Sequence, residues 1–219
     1  MTSLAVFAAL ILLSWPAASQ EADRSAAPAE EAAAGPAAEN GATAARAAVE
    51  SFHEVLLGCM KEADALGFQG RYERILASLD ETFDLPFMAR ALVGATWKEL
   101  GQQQQADFID LSRRLSASRY ADNFDGYGGQ RFETHSEEPA ARGTIVVKTE
   151  FIQPKDKNVR FDYRLRKVEG RWRIIDIYLD EMISELVLWR GQYRSLIENE
   201  GFAKLVEALE KRVDELHGQ

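Results

Sequence analysis

From Val49 onward the apolar positions recur every three or four residues. Near Arg131 they switch to every second residue, and after Leu179 they return to three and four. That order predicts helices, then strands, then helices. Val49, Phe52, Leu56, Cys59 and Ala63 make the stripe of a first helix, with Thr43 as its N-cap and an end near Gly67. Tyr72, Ile75, Leu76, Leu79 and Phe83 make a second stripe. Asp84 caps a short third helix with Pro86 in its first turn, and Gly94 stops it. A fourth helix opens at Gln102–Gln105 and runs to about Asn123. Its apolar residues (Phe108, Ile109, Leu111, Leu115, Tyr120) cover more than one stripe, so burial on more than one side is expected.

Asp125–Gly129, with three glycines, ends the helical block; it follows a helix rather than a strand and is read as a connection, not a phosphate loop. Thr144–Phe151 is rich in β-branched residues, and 154–158 makes a turn. Val159, Phe161, Tyr163 and Leu165 alternate with Arg160, Asp162, Arg164 and Arg166, giving one apolar and one charged face. Glu169-Gly170 is a hairpin signal. The strand that follows, Arg171–Leu179, places Ile175, Ile177 and Leu179 on one face and Trp172, Ile174, Asp176 and Tyr178 on the other. A weaker strand is expected over Arg131–Ser136. Leu186, Trp189, Tyr193 and Ile197 return to helical spacing, Gly201 interrupts, and Phe202–Leu216 is a final amphipathic helix. The expected fold is α+β. A curved antiparallel sheet of about four strands, connected as a meander, is packed by N-terminal and C-terminal helices into an NTF2-like cone with an apolar cavity.

The N-terminus belongs to another regime. Leu4–Leu13 is an almost unbroken apolar run, too short to span a bilayer, which takes about 20 residues. Pro16 and the small residues Ala17-Ala18-Ser19 follow, the pattern of a secretory signal cleaved after Ser19; the alternative is an uncut anchor helix. Met1–Ser3 lacks the usual Lys or Arg, which fits a start truncated upstream. Cys59 lies too far downstream to be a lipobox cysteine. Residues 20–45 are alanine-rich, with Pro28, Pro36 and five acids against the single base Arg24, and are expected to be a disordered linker. The folded part is then 46–217.

Composition narrows the chemistry. With 219 residues, 46% of them hydrophobic, the chain can build a real core. A net charge of −9 and no Lys/Arg-rich stretch argue against nucleic acid. One cysteine and three scattered histidines leave no disulfide framework and no Cys-rich metal site. Neither a cofactor nor a metal is implied, and no catalytic motif is present. His53 lies one position off the first stripe, His135 faces solvent on a strand, and His217 sits at a frayed terminus. Asp176 beside Trp172 and Tyr178, or Asp162 beside Tyr163, could serve as a general base in a cone-fold enzyme. The plainer reading is an acid hydrogen-bonded to structure or exposed on the sheet. Arg160, Arg164, Arg166 and Lys167 make a solvated face, or one that meets acidic headgroups or a partner.

Several stretches together resemble the MlaC family of periplasmic ABC-transporter auxiliary proteins, also called toluene-tolerance proteins. They are Phe83–Arg90 (FDLPFMAR), Leu92–Trp97 (LVGATW), Gln103–Phe108 (QQQADF), Tyr120-Ala121, Asp162–Leu165 (DYRL), Gly170–Ile177 (GRWRIIDI) and Glu200–Phe202 (EGF). The likeness spans roughly Ala45 to Leu216. Tyr178–Leu186 leading into Trp189–Tyr193 (WRGQY) departs from the phospholipid-carrier pattern and looks more like the hopanoid-associated HpnM branch. The resemblance implies a soluble periplasmic carrier, not an enzyme, that holds a phospholipid or hopanoid between sheet and helices. Its implied partners are an inner-membrane ABC transporter with its periplasmic lipid-binding subunit and an outer-membrane lipid acceptor or donor. A second possibility is a docking partner of a transporter that binds no lipid.

A carrier needs large side chains that line a cavity rather than fill it. From the helices the candidates are Phe87, Leu92, Trp97, Phe108, Leu111, Leu115 and Tyr120. The strands offer Val147, Phe161, Tyr163, Ile175 and Ile177, and the C-terminal helices Trp189. The plain alternative for each is an ordinary place in the core.

Overall fold

The computed structural model describes residues 36–180 and 183–218, with side chains from residue 44 onward. The expected signal peptide and most of the linker lie outside the described residues. Helix α1 (Pro36–Lys61) begins inside the expected linker, so Thr43 is an interior residue and not a cap. The α1 stripe of Val49, Phe52, Leu56 and Cys59 is buried as its spacing requires, extended upstream by Ala45. A one-residue break at Glu62 leads into α2 (Ala63–Thr82). Gly67, at φ 60° and ψ −173°, kinks that helix in a region that only glycine enters without strain.

Helix α3 (Leu85–Val93) carries the start and stop signals read from its sequence. Phe87 N donates to Asp84 Oδ1 at 3.2 Å, and Gly94 ends the helix at φ 58°. A 3₁₀ turn, Gly94–Lys98, leads to α4 (Gln102–Asn123), where Gly101 N donates to Gln104 Oε1 at 3.0 Å. After the strands come α5 (Glu185–Glu200) and α6 (Phe202–His217). They are separated by Gly201 at φ 90°.

The sheet holds five strands in sequence order, all antiparallel. They are β1 (Arg131–Ala140), β2 (Thr144–Ile152), β3 (Val159–Val168), β4 (Arg171–Leu179) and the short β5 (Ile183–Ser184). The weak first strand is thus ten residues long, and the expected count of about four rises to five. Glu169 and Gly170 both take positive φ, 49° and 81°, the geometry of a type I′ hairpin turn.

Two bulges alter the expected alternation. In β1 the register shifts between Thr134 and Ser136, leaving His135 as the extra, exposed residue. In β4, Asp176 pairs with Arg164 but Ile174 pairs with Leu165, so Ile175 is the extra residue. The inward face therefore runs Leu179, Ile177, Ile174, Trp172 rather than Leu179, Ile177, Ile175.

Buried apolar residues form two clusters. The first joins α1 and α2 to the sheet and contains Phe52, Ile75, Leu79, Phe83, Val147, Phe161, Tyr163, Leu165 and Ile174. The second joins α3 to α6 and contains Phe108, Leu111, Leu115, Trp189, Tyr193 and Leu205. Helix α4 serves both, with Ala117 and Ala121 in the first and Phe108, Leu111 and Leu115 in the second. That double service explains why its apolar residues cover more than one stripe.

Candidate functional site

The two clusters do not close completely against each other. Between them lies a cavity of about 130 Å³. The first cluster contributes Leu79, Phe83, Leu85, Phe161 and Ile177 to its lining; the second contributes Leu115, Trp189 and Tyr193. Met88, Leu92, Tyr120, Leu179 and Leu186 complete the apolar surround. Sites that enclose whole small ligands run to about 300–1,000 Å³.

Six of the expected pocket residues line this cavity: Leu92, Leu115, Tyr120, Phe161, Ile177 and Trp189. The other seven are elsewhere. Phe108 and Leu111 are fully packed in the second cluster, and Trp97 packs against it from outside. Val147 lies opposite Tyr163 in the sheet, and both are buried in the first cluster. Phe87 is drawn outward, its ring under the Arg166 guanidinium at 4.4 Å and near that of Arg90 at 5.9 Å. Ile175 is the bulged residue of β4 and belongs to neither cluster.

Helix α5 forms one wall, and its placement depends on Asp176. Asp176 Oδ2 accepts from Ser184 Oγ at 2.6 Å, and Oδ1 accepts from Ile177 N at 2.9 Å and Leu186 N at 3.1 Å. Ser184 Oγ in turn accepts from Val187 N at 3.0 Å and caps the helix. The candidate general base is thus an acid saturated by structural donors, although burial still raises its pKa. Asp162 fares no better as a catalyst: it points to the opposite face of β3 from Tyr163, across from Lys148 and Tyr178.

The wall shared by α4 and α5 is polar in part, which the sequence reading missed. Ser112, Ser116 and Arg119 lie along one face of α4 and border the cavity, with Glu185 and Tyr193 from α5. The Arg119 guanidinium sits 4.1 Å over the Trp189 ring. Trp189 Nε1 donates to Glu185 Oε2 at 3.0 Å. Burial raises the Glu185 pKa to about 6, its bond to Trp189 and the Arg119 charge opposing the rise. Burial also lowers the Arg119 pKa. Helical spacing sets Ser112 and Ser116 on one stripe with Ile109 and Tyr120, and Arg119 one turn after Leu115, so the signal was polar residues inside an apolar arc, which a reading of apolar positions alone passes over.

The three histidines divide. His53, expected at a boundary, is 3% exposed. It is hydrogen-bonded with Tyr163 Oη at 3.1 Å and stacked on Phe132 at 3.8 Å, and desolvation lowers its pKa to about 3. His135 is exposed, 3.3 Å from Glu150, as read. His217 is not frayed: its Nε2 lies 3.0 Å from Ser118 Oγ, and its ring packs edge-on against Phe68 and Tyr72. On the outer face of β3, Arg166 is committed to Asp84, and Arg164 donates to Thr144 Oγ1 at 3.1 Å and Ala141 O at 3.2 Å.

Comparison with known proteins gives the arrangement a family. A search of curated proteins gives no match. Among solved structures, the fold is similar to a phospholipid-binding protein from Ralstonia solanacearum, solved in complex with a phospholipid. The TM-score is 0.69 at 20% identity, covering 79% of this chain and 98% of that one. The family model described as MlaC protein matches residues 50–211, and the chain belongs to the MlaC family.

Proposed function

We propose that this protein is a periplasmic lipid carrier, exported by a signal at residues 1–19 that is cleaved after Ser19, with a linker ahead of α1 and a lipid-binding domain that runs to residue 217. Its cargo is a phospholipid or a hopanoid, moved between an inner-membrane ABC transport system and the outer membrane. The WRGQY segment, 189–193, points to the HpnM branch of the family. The observation that carries the reading is the incomplete seam between two apolar clusters, lined by large side chains from both. The phospholipid held by the similar Ralstonia protein supports the same ligand class.

Energetics give the seam its purpose. Burial of one CH₂ is worth about 0.8 kcal/mol, so the roughly 30 such groups of a two-chain lipid put on the order of 20 kcal/mol between water and an apolar site. A lipid does not diffuse free across an aqueous gap; something must cover its tails. A 130 Å³ space covers only part of them, so loading requires the two clusters to part. Helices α3 and α5 are the elements to move, since α5 is attached to the sheet through β4 and β5 and packs on α3 and α6.

Transfer tests this directly. Delipidated protein is mixed with phosphatidylcholine vesicles doped with a pyrene-tailed phospholipid, and the vesicles are then sedimented. The expected result is pyrene monomer emission in the supernatant, rising with protein concentration to a plateau near one lipid per chain. Folded protein that leaves all the pyrene in the pellet would refute the carrier reading.

A further inference from the structure

Two buried side-chain atoms without a hydrogen-bond partner border the cavity, Glu185 Oε1 and Ser112 Oγ. A buried carboxylate oxygen left unpaired forfeits its hydration with nothing in exchange, so its persistence calls for a partner that comes and goes. Across the same indole stands Arg119, bordering the cavity. Among the described residues its guanidinium has no hydrogen-bonded acceptor and no carboxylate within ion-pair distance. Arg119 and Glu185 influence each other's ionisation yet do not touch, with Trp189 bridging them by a ring face and an N–H. The cavity thus offers an unused acceptor and unused donors that share one indole as neighbour, in a lining that is otherwise mostly apolar.

The pairing discriminates among ligands. A phosphate or carboxylate would meet Arg119 but be repelled by Glu185. An ammonium would meet Glu185 but be repelled by Arg119. An ether or alkane would leave Glu185 Oε1 unpaired. A hydroxyl both donates and accepts, and it adds no charge. Resting on the lipid-carrier reading, we infer that the α4–α5 wall recognises a neutral hydroxyl on an otherwise apolar ligand, its proton donated to Glu185 Oε1 and its oxygen accepting from Arg119. The ligand class is a hydroxylated lipid whose hydroxyl is drawn inside with the apolar body. Ser112, two turns up the same face of α4, extends the polar track for a second polar group.

The test is a set of matched probes on the full, delipidated chain, each displacing 1-anilinonaphthalene-8-sulfonate. They are hexadecan-1-ol, 1-methoxyhexadecane, hexadecanoate and hexadecyl phosphate. The alcohol is expected to bind at least tenfold more tightly than its methyl ether, and more tightly than either anion. In Glu185→Leu and in Arg119→Met, each checked for a cooperative melt, that preference should fall below threefold. Glu185→Gln, which keeps an acceptor oxygen, should retain most of it. Equal affinities for alcohol and ether would overturn the inference and make the wall a water site, while leaving the carrier reading intact. Preference for the phosphate would overturn it in favour of an anion site at Arg119, and a preference that survives both Glu185→Leu and Arg119→Met would overturn it too. Failure of every alkyl probe to displace the dye would overturn both readings.

Discussion

At the scale of single residues, most polar groups in this interior have structural work. Asp84 caps α3, receives Arg166 and is 7% exposed. His53 is the sharper case, because its environment has a pH signature. The folded state holds it neutral with a pKa near 3, whereas an unfolded histidine titrates near 6.5. Between those values the unfolded chain binds the extra proton, so stability falls as pH drops through that window and is undiminished above it. From pH 7.5 to pH 5 this one group should remove about 2 kcal/mol. Urea unfolding at the two pH values should show the wild type losing about that much more than His53→Gln. Equal losses would mean that His53 is solvated. In the sequence His53 sits next to the stripe residue Phe52, and nothing there shows that Phe132 and Tyr163 close over it from the sheet.

At the scale of elements, periodicity and punctuation located the helices well. Asp84, Pro86 and Gly94 bounded α3 because each acts on its own backbone. The errors came elsewhere. The bulge at Ile175 was hidden because Ile174 and Ile175 are both apolar, so the change of parity leaves no mark in the hydrophobic pattern. The polar wall was missed because Ser112, Ser116 and Arg119 interrupt the apolar arc of α4, between Phe108 and Leu115 on one side and Ile109 and Tyr120 on the other, and only apolar positions were counted toward burial. The packing of α5 makes a testable claim about Asp176, whose carboxylate holds Ser184 and the first turn of α5. Asp176→Ala should cost about 2–4 kcal/mol by leaving those donors unpaired, and should raise hydrogen exchange in α5 well above that in α1. A uniform rise across both helices would show that α5 is not held separately. For an enzyme that used Asp176 as a base, Asp176→Asn would abolish activity while binding persisted.

At the scale of the whole molecule, the cavity is the place where two cores meet and neither finishes the contact. Native interiors are packed to about 0.74–0.76 of their volume, and a gap costs stability by removing contacts. A seam kept open in this way is a site that stability alone would close. Filling it from a residue outside either cluster separates binding from folding. Ser116 lines the cavity from α4, so Ser116→Phe puts a ring into the space that a ligand needs. The variant should melt at or above the wild-type temperature and yet fail to hold lipid.

Native mass spectrometry of protein purified from the periplasm of expressing cells tests the central claim most directly, with wild type and Ser116→Phe side by side. The account predicts one lipid-sized adduct per wild-type chain, released by organic extraction, and the bare chain mass for the variant. A bare mass for the wild type that persists after incubation with vesicles, or an adduct retained in full by Ser116→Phe, would contradict it.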